Sequence, residues 1–188
     1  MKQLVLRTVA FDPPVFAAPM AAVSHSAFRR LVGTWGGFGA QFSEMVPVAS
    51  LYKDDLNLSP QTKRRPEDGP LVYQLLIHGT EGIEEGIMRL SGMNPEALDV
   101  NLSCPAPEVV RRGGGAALFR DAQRCTQVLR AIRRVWQGPL LVKCRLGDNA
   151  PSWYEHLRAR LEGFRDEGVD AVTVHPRFFD EKLKRRAR

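Results

Sequence analysis

The sequence predicts an α/β fold on a parallel sheet, best read as an incomplete (β/α)8 barrel with about the first six β/α units. Three observations predict it. Short apolar runs alternate with stretches of helical periodicity along the whole chain. The runs are rich in Val, Leu and Ala on both alternating positions, as in strands covered on both faces. Polar residues gather just after the runs, at what would be the C-terminal ends of the strands.

The first apolar run, Val15 to Ala18, closes at Pro19-Met20, and Ser24 and Ser26 are placed to cap a helix carrying Phe28, Leu31 and Val32. Glycines 36, 37 and 39 end it. A second strand through Phe38 to Phe42 delivers Ser43, Glu44 and Met45. Residues 52–70 read as a long polar loop or a short irregular helix. Leu71 to Ile77 is a third strand holding Gln74, and Thr80 caps a helix with Ile83, Ile87 and Leu90 on one face. Ala97 to Leu102 is the fourth strand. From Asp121 the apolar positions Cys125, Val128, Leu129, Ile132 and Val135 follow the clearest 3.6-residue period in the chain, stopped by Gly138-Pro139. Leu140 to Val142 leads into Lys143, Cys144 and Arg145. Trp153, Leu157, Leu161 and Phe164 mark another helix, and Ala171 to Val174 runs into His175, Pro176 and Arg177.

An open doubly wound sheet shares this rhythm, but no Gly-x-Gly-x-x-Gly follows the first strand, which excludes a dinucleotide-binding unit. In a barrel the C-terminal strand ends form the active-site face, where Pro19-Met20, Glu44, Asn101 to Cys104, Lys143 to Arg145 and His175 to Arg177 fall.

Among these, Cys104 is the leading catalytic candidate, at a strand end beside Pro105 and ahead of a glycine-rich turn. A thiol there can serve as a nucleophile or, since thiols ordinarily hold their proton at neutral pH, as a general acid. Cys125 and Cys144 read as buried hydrophobes. Lys143, in an apolar strand, needs an anionic ligand or a partner such as Glu44. The amides of Gln74 and Asn101 suit the edge of a planar heterocycle. Arg111-Arg112 followed by three glycines is either a phosphate-binding turn or a surface loop, and it lacks the Gly-Lys-Ser/Thr of a P-loop.

These motifs resemble, in order, the tRNA-dihydrouridine synthases: APMAAVSHSAFRR, SEM at 43–45, VYQLL, DVNLSCPAPEVVRRGGGAALFRD, LLVKCRLG and AVTVHPR. The likeness runs from about Phe16 to Arg177, and its most specific part is Asn-Leu-Ser-Cys-Pro with the Arg-Arg-Gly-Gly-Gly that follows. It implies an FMN-dependent barrel that uses NADPH to reduce uridine in tRNA to 5,6-dihydrouridine. Cys104 matches the proton donor. Pro19, Met20, Ala21, Gln74, Asn101, Lys143 and His175 match the flavin-binding positions, and Arg111, Arg112, Arg145 and Arg177 are the candidates for substrate contact. The family has aspartate where His25 stands, and His-Gly-Arg-Thr where this chain has His175-Pro176-Arg177-Phe178. On this reading, residues 1–188 are the N-terminal portion of the barrel, without its last two units or the C-terminal helical domain that helps hold tRNA. The alternatives are a dihydroorotate dehydrogenase-like flavin enzyme acting on a small pyrimidine, and a non-catalytic remnant that binds RNA or a partner.

Composition bounds the setting. At 44% hydrophobic and 26% charged, the 188 residues suit one globular core rather than a disordered chain. Most of the formal +6 charge lies in 181–188, EKLKRRAR, read as a solvated helix. The pairs Arg29-Arg30, Arg64-Arg65 and Arg133-Arg134 read as solvated faces too. Three irregularly spaced cysteines make neither a disulfide framework nor a zinc site. With no apolar span or secretory signal, a cytoplasmic protein off the membrane is expected.

Overall fold

The chain opens with an element that the apolar periodicity does not announce. In the computed structural model, which describes residues 2–181, β1 (Leu4–Leu6) and β2 (Val9–Phe11) form an antiparallel hairpin. Strands of three residues are too short to display an alternation. The expected helix-and-strand rhythm then follows: β3 (Phe16–Ala17), α1 (Ser26–Gly33), β4 (Ala40–Pro47), α2 (Val48–Leu51), β5 (Leu71–Leu76), α3 (Ile83–Ser91), β6 (Ala97–Leu102), α4 (Pro107–Arg111), α5 (Ala116–Arg120), α6 (Ala122–Val135), β7 (Leu140–Arg145), α7 (Trp153–Asp166) and β8 (Ala171–His175). The tail helix expected over 181–188 lies, from residue 182 on, outside the described residues.

Strands β3 to β8 form one six-stranded sheet in sequence order, parallel throughout. The sheet curls into a half-barrel, an incomplete member of the (β/α)8 class. Its two faces follow from the two-residue period of a strand. In β6, Leu98, Val100 and Leu102 join the large core beneath the helices, with Leu129 and Ile132 of α6 and Ile83 and Ile87 of α3. The residues between them face the lumen. At the start of the strands these inner residues are apolar: Ala40, Phe42, Val72, Ala97 and Leu141 pack with Leu6 and Phe11 of the hairpin. The hairpin therefore plugs the N-terminal end of the lumen, with Phe11 edge-on to Phe16 at 5.2 Å.

Several boundaries differ from expectation for local reasons. Helix α1 is capped by His25, whose Nδ1 accepts the Phe28 N–H at 3.4 Å, because Ser24 is held elsewhere. Strand β4 runs on through Ser43, Glu44 and Met45, with a register shift between Phe42 and Met45. Helix α3 is capped at Gly82 rather than Thr80. The stretch between Cys104 and Asp121, where the sequence suggests a turn or surface loop around Arg111-Arg112, holds α4 and α5. Asp121 caps α6 as the sequence implied, its carboxylate accepting the Arg124 N–H at 3.0 Å.

The arginine pairs correct the solvated reading in part. Neighbouring helix positions point about 100° apart, so one arginine of a pair can turn inward while the other meets solvent. Arg29 is fully buried. It pairs with Asp68 at 3.3 Å and donates to the carbonyls of Ser24 at 2.8 Å and Lys63 at 2.7 Å. Residues 52–70, irregular apart from a single 3-10 turn at Pro66–Asp68, are thus clamped to α1, and Tyr73 Oη adds a bond to the Thr62 carbonyl at 2.6 Å. Arg133 likewise joins Asp170 at 2.6 Å and the Gly138 carbonyl at 2.7 Å, while Arg134 is largely exposed. Burial alone would raise the Asp170 carboxyl. The Leu140 N–H, Arg7 and Arg133 outweigh it and hold the group below its ordinary range.

Replacing one partner of a buried pair strands the other charge, so Arg29→Met is expected to cost ~3–5 kcal/mol. Arg30→Ala removes an exposed ion pair with Glu67 and should cost about 0–1 kcal/mol. Urea unfolding of the two variants measures the difference, and equal midpoints would count against the clamp.

Candidate active site at the C-terminal strand ends

Along the inner face the strands change character half-way. Ala97 of β6 is followed on that face by Asp99 and Asn101, Val72 of β5 by Gln74, and Leu141 of β7 by Lys143 and Arg145. Register brings them side by side, with Gln74 beside Asp99, Asn101 beside Lys143, Lys143 beside Thr173, and Arg145 beside His175.

Gln74, Asp99 and Asn101 are buried and bond to one another. Gln74 Nε2 donates to Asp99 Oδ2 at 2.6 Å, and Asn101 Nδ2 donates to Gln74 Oε1 at 2.9 Å. Asn101 Oδ1 accepts the backbone N–H groups of Ser103 and Cys104, both at 3.0 Å, which bends the chain sharply as it leaves the strand. The Gln74 N–H is taken by Ser43 Oγ at 3.0 Å, on the shifted stretch of β4.

Cys104 is half-buried and held from its other side as well. Its carbonyl accepts the Ala116 N–H at 3.0 Å. Gly115 lies so close that an added Cβ would sit 2.5 Å from the Cys104 oxygen, and its φ of +53° disfavours any side chain there. The other two thiols behave as expected: Cys125 and Cys144 lie in the core, and burial pushes each up to about 12.

Lys143 is half-buried and makes no ion pair or hydrogen bond among the described residues. Glu44, the partner the sequence offered, instead accepts the Ala22 N–H at 2.7 Å. Burial lowers the Lys143 pKa, opposed chiefly by the charge of Asp99; Arg145 and Cys104 are also near enough to act on it. Burial has the mirror effect on Asp99 and pushes it up to about 7, against the Gln74 hydrogen bond and the Lys143 charge.

At the end of β8, His175 Nε2 lies 3.0 Å from Arg177 Nη1. An arginine only donates, so Nε2 accepts and the ring proton sits on Nδ1. Burial, with Arg145, Lys143 and Arg177, holds this histidine below its ordinary range and neutral at pH 7. Arg145 is buried and reaches the Phe178 carbonyl at 3.1 Å.

The structure thus gathers Gln74, Asn101, Cys104, Lys143, Arg145, His175 and Arg177 along four adjoining strands, β5 to β8. Pro19, Met20 and Ala21 form the turn after β3, fixed by Ser24 Oγ, which bonds both the N–H and the carbonyl of Met20 at 2.9 Å. Glu44 ties that turn to β4. Arg111 and Arg112 stand apart, exposed at the end of α4. The Gly113 and Gly114 N–H groups bond back to Val110 and Val109, so the side chains rather than these amides face solvent. The sequence reading passed over Asp99, although its place two residues before Asn101 puts it on the same face of an otherwise apolar strand.

A planar, electron-rich ring fits the residues present: a lysine ammonium and one buried Asp99 oxygen, both without a partner among the described residues, beside a row of buried amides. Among the described residues no cluster of side chains could hold a metal ion, and no helix is long and apolar enough to cross a membrane.

Comparison with known proteins agrees with this geometry. The family model described as dihydrouridine synthase (Dus) matches residues 16–188. The chain is 30% identical over 173 residues to a probable tRNA-dihydrouridine synthase of Treponema pallidum, covering 87% of this chain and 49% of that one. A protein of the same description from Rhodobacter capsulatus is 29% identical, covering 92% and 52%. One from Mycobacterium tuberculosis strain H37Rv is 32% identical, covering 87% and 44%. The chain spans about half the length of the curated relatives it matches. With the cysteine, amides and lysine at the C-terminal strand ends of a parallel half-barrel, and a family match over nearly its whole length, this chain belongs to the dihydrouridine synthase family.

Proposed function

We propose that the protein reduces uridine in tRNA to 5,6-dihydrouridine in the cytoplasm, with FMN as resident cofactor and NADPH as reductant. The observation that carries this reading is the placing of Cys104 by Asn101, beside the lumen-facing Gln74 and Lys143. Gln74, Asn101, Lys143 and His175, with the Pro19–Ala21 turn, would hold the flavin. Bound there and reduced by NADPH, the flavin supplies a hydride to C6 of the uracil ring.

The chain's own residues supply the rest. Cys104 gives its Sγ proton to C5 of the uracil and recovers one from solvent, so the double bond is saturated with one hydride and one proton. Lys143 offers positive charge to a ring that gains electrons, in a setting where burial strengthens the interaction. His175, neutral with its proton on Nδ1, donates a hydrogen bond rather than acting as a base. Arg177 at the mouth, and Arg111 and Arg112 on the rim, are suited to the phosphates of an RNA whose target base must leave its stack, whereas Arg145 is buried against the Phe178 carbonyl.

Two substitutions test the assignment in cells lacking the endogenous activity, with dihydrouridine in tRNA measured by mass spectrometry. Cys104→Ala is expected to lower turnover ~10²–10⁴-fold while the flavin stays bound. Unchanged tRNA dihydrouridine together with orotate turnover would reverse the reading. Lys143→Met should lower turnover on the order of 10²-fold and weaken flavin retention; full flavin occupancy at the normal rate would remove Lys143 from the site.

A further inference from the structure

The hydrogen-bond chain beneath Cys104 has a direction, and the direction is imposed at one end. A carboxylate only accepts. Asp99 Oδ2 therefore draws the nitrogen of Gln74, which leaves Gln74 Oε1 to receive Asn101 Nδ2. That in turn leaves Asn101 Oδ1 for the N–H groups of Ser103 and Cys104. Turning over either amide alone would set two acceptors or two donors face to face. The three side chains are at most 5% exposed, so solvent cannot take the place of a lost partner.

We propose that Asp99 is a positioning residue: its carboxylate sets the orientation of the Gln74 and Asn101 amides and, through them, holds the backbone at Cys104. The inference rests on the proposed function for its importance, since Cys104 is the acid there, but its geometry is independent of flavin and tRNA.

Protonation gives the device a second state. A neutral Asp99 carries both a carbonyl and an O–H, so it no longer dictates which way the Gln74 and Asn101 amides run. In the reversed arrangement Asn101 would point its own nitrogen at the N–H groups of Ser103 and Cys104, and the turn would lose both bonds. Asp99 Oδ1 is buried without a partner among the described residues, and burial brings the carboxyl to about 7, so the carboxyl changes protonation state near neutral pH. The groups around it are few. Gln74, from β5, is neutral. Lys143, from β7, is the charged neighbour that acts on it. Arg145 and His175 are coupled to Lys143 and lie farther along the lumen. Cys104 stands at the end of the strand that carries Asp99.

The test is a pH titration of the labelled wild-type chain by NMR. It follows the Asp99 carboxyl carbon, the side-chain amides of Gln74 and Asn101, and the backbone amides of Ser103 and Cys104. All are expected to move with one midpoint near the Asp99 value, about 7. Lys143→Met should shift that common midpoint upward, because loss of the positive charge favours the protonated carboxyl. Asp99→Asn, which lacks a fixed acceptor, is expected to change the alkylation rate of Cys104 by about two- to tenfold, the equivalent of one or two hydrogen bonds, with Cys125 and Cys144 still unreactive. If that variant does not fold, the wild-type titration decides alone. A Cys104 amide that stays flat while the Asp99 carboxyl titrates overturns the proposal, as does a folded Asp99→Asn protein whose Cys104 reacts at the wild-type rate. Neither readout uses flavin, NADPH or tRNA, so this inference and the proposed function can fail separately.

Discussion

The inner face of a parallel strand must be filled, and along this sheet it changes from apolar to polar half-way up. Below the change, Phe42, Val72, Ala97 and Leu141 close on the hairpin residues Leu6 and Phe11, and water is excluded. Above it, the same face carries Gln74, Asp99, Asn101 and Lys143. Polar groups set on a dry floor cannot be satisfied from beneath, and an unsatisfied one costs roughly 1–3 kcal/mol. The hydrogen bonds among Gln74, Asp99 and Asn101 answer that constraint. The hold on Cys104 follows in part from it, through Asn101, and in part from the Ala116 N–H on the other side.

Lys143 is the group this arrangement leaves open. Its neighbours on the strand, Val142 and Cys144, are buried in the helix-side core, so the side chain is committed to the lumen. Asp99 opposes the cost of burying its charge without bonding to it. An electron-rich ring or anionic group arriving in the lumen meets a cation that needs no prior partner displaced.

How much of this could be read from the sequence depends on how far each signal extends along the chain. The α6 and β7 units were plain, because a helix of 14 residues repeats its period several times and Cys125 and Cys144 fell on apolar positions. The hairpin was invisible, because three-residue strands repeat nothing. Arg29 looked like half of a solvated pair, since burial of an arginine depends on carbonyls at Ser24 and Lys63 and a carboxylate at Asp68, which only the fold brings together. Cys104, Gln74, Asn101 and Lys143 stood out as polar residues in or just after apolar runs. Asp99 had the same signature, but its meaning lies in the Gln74 amide across the strand pair, and pairing register is not written in either strand by itself.

The lumen is asymmetric in a way that constrains what it receives. Toward β7 and β8 the chemistry is largely cationic or donor: the Lys143 ammonium, the Arg177 guanidinium beside the buried Arg145, and the Nδ1–H that Arg177 imposes on His175 by occupying Nε2. Toward β5 and β6 it is a row of amides whose donors and acceptors already face one another. A ligand bound between them must turn its acceptor-rich edge to the cationic side, because the amide side has few free groups to offer it. Cys104 lies at the seam, close enough to Lys143 and Arg145 to act on both.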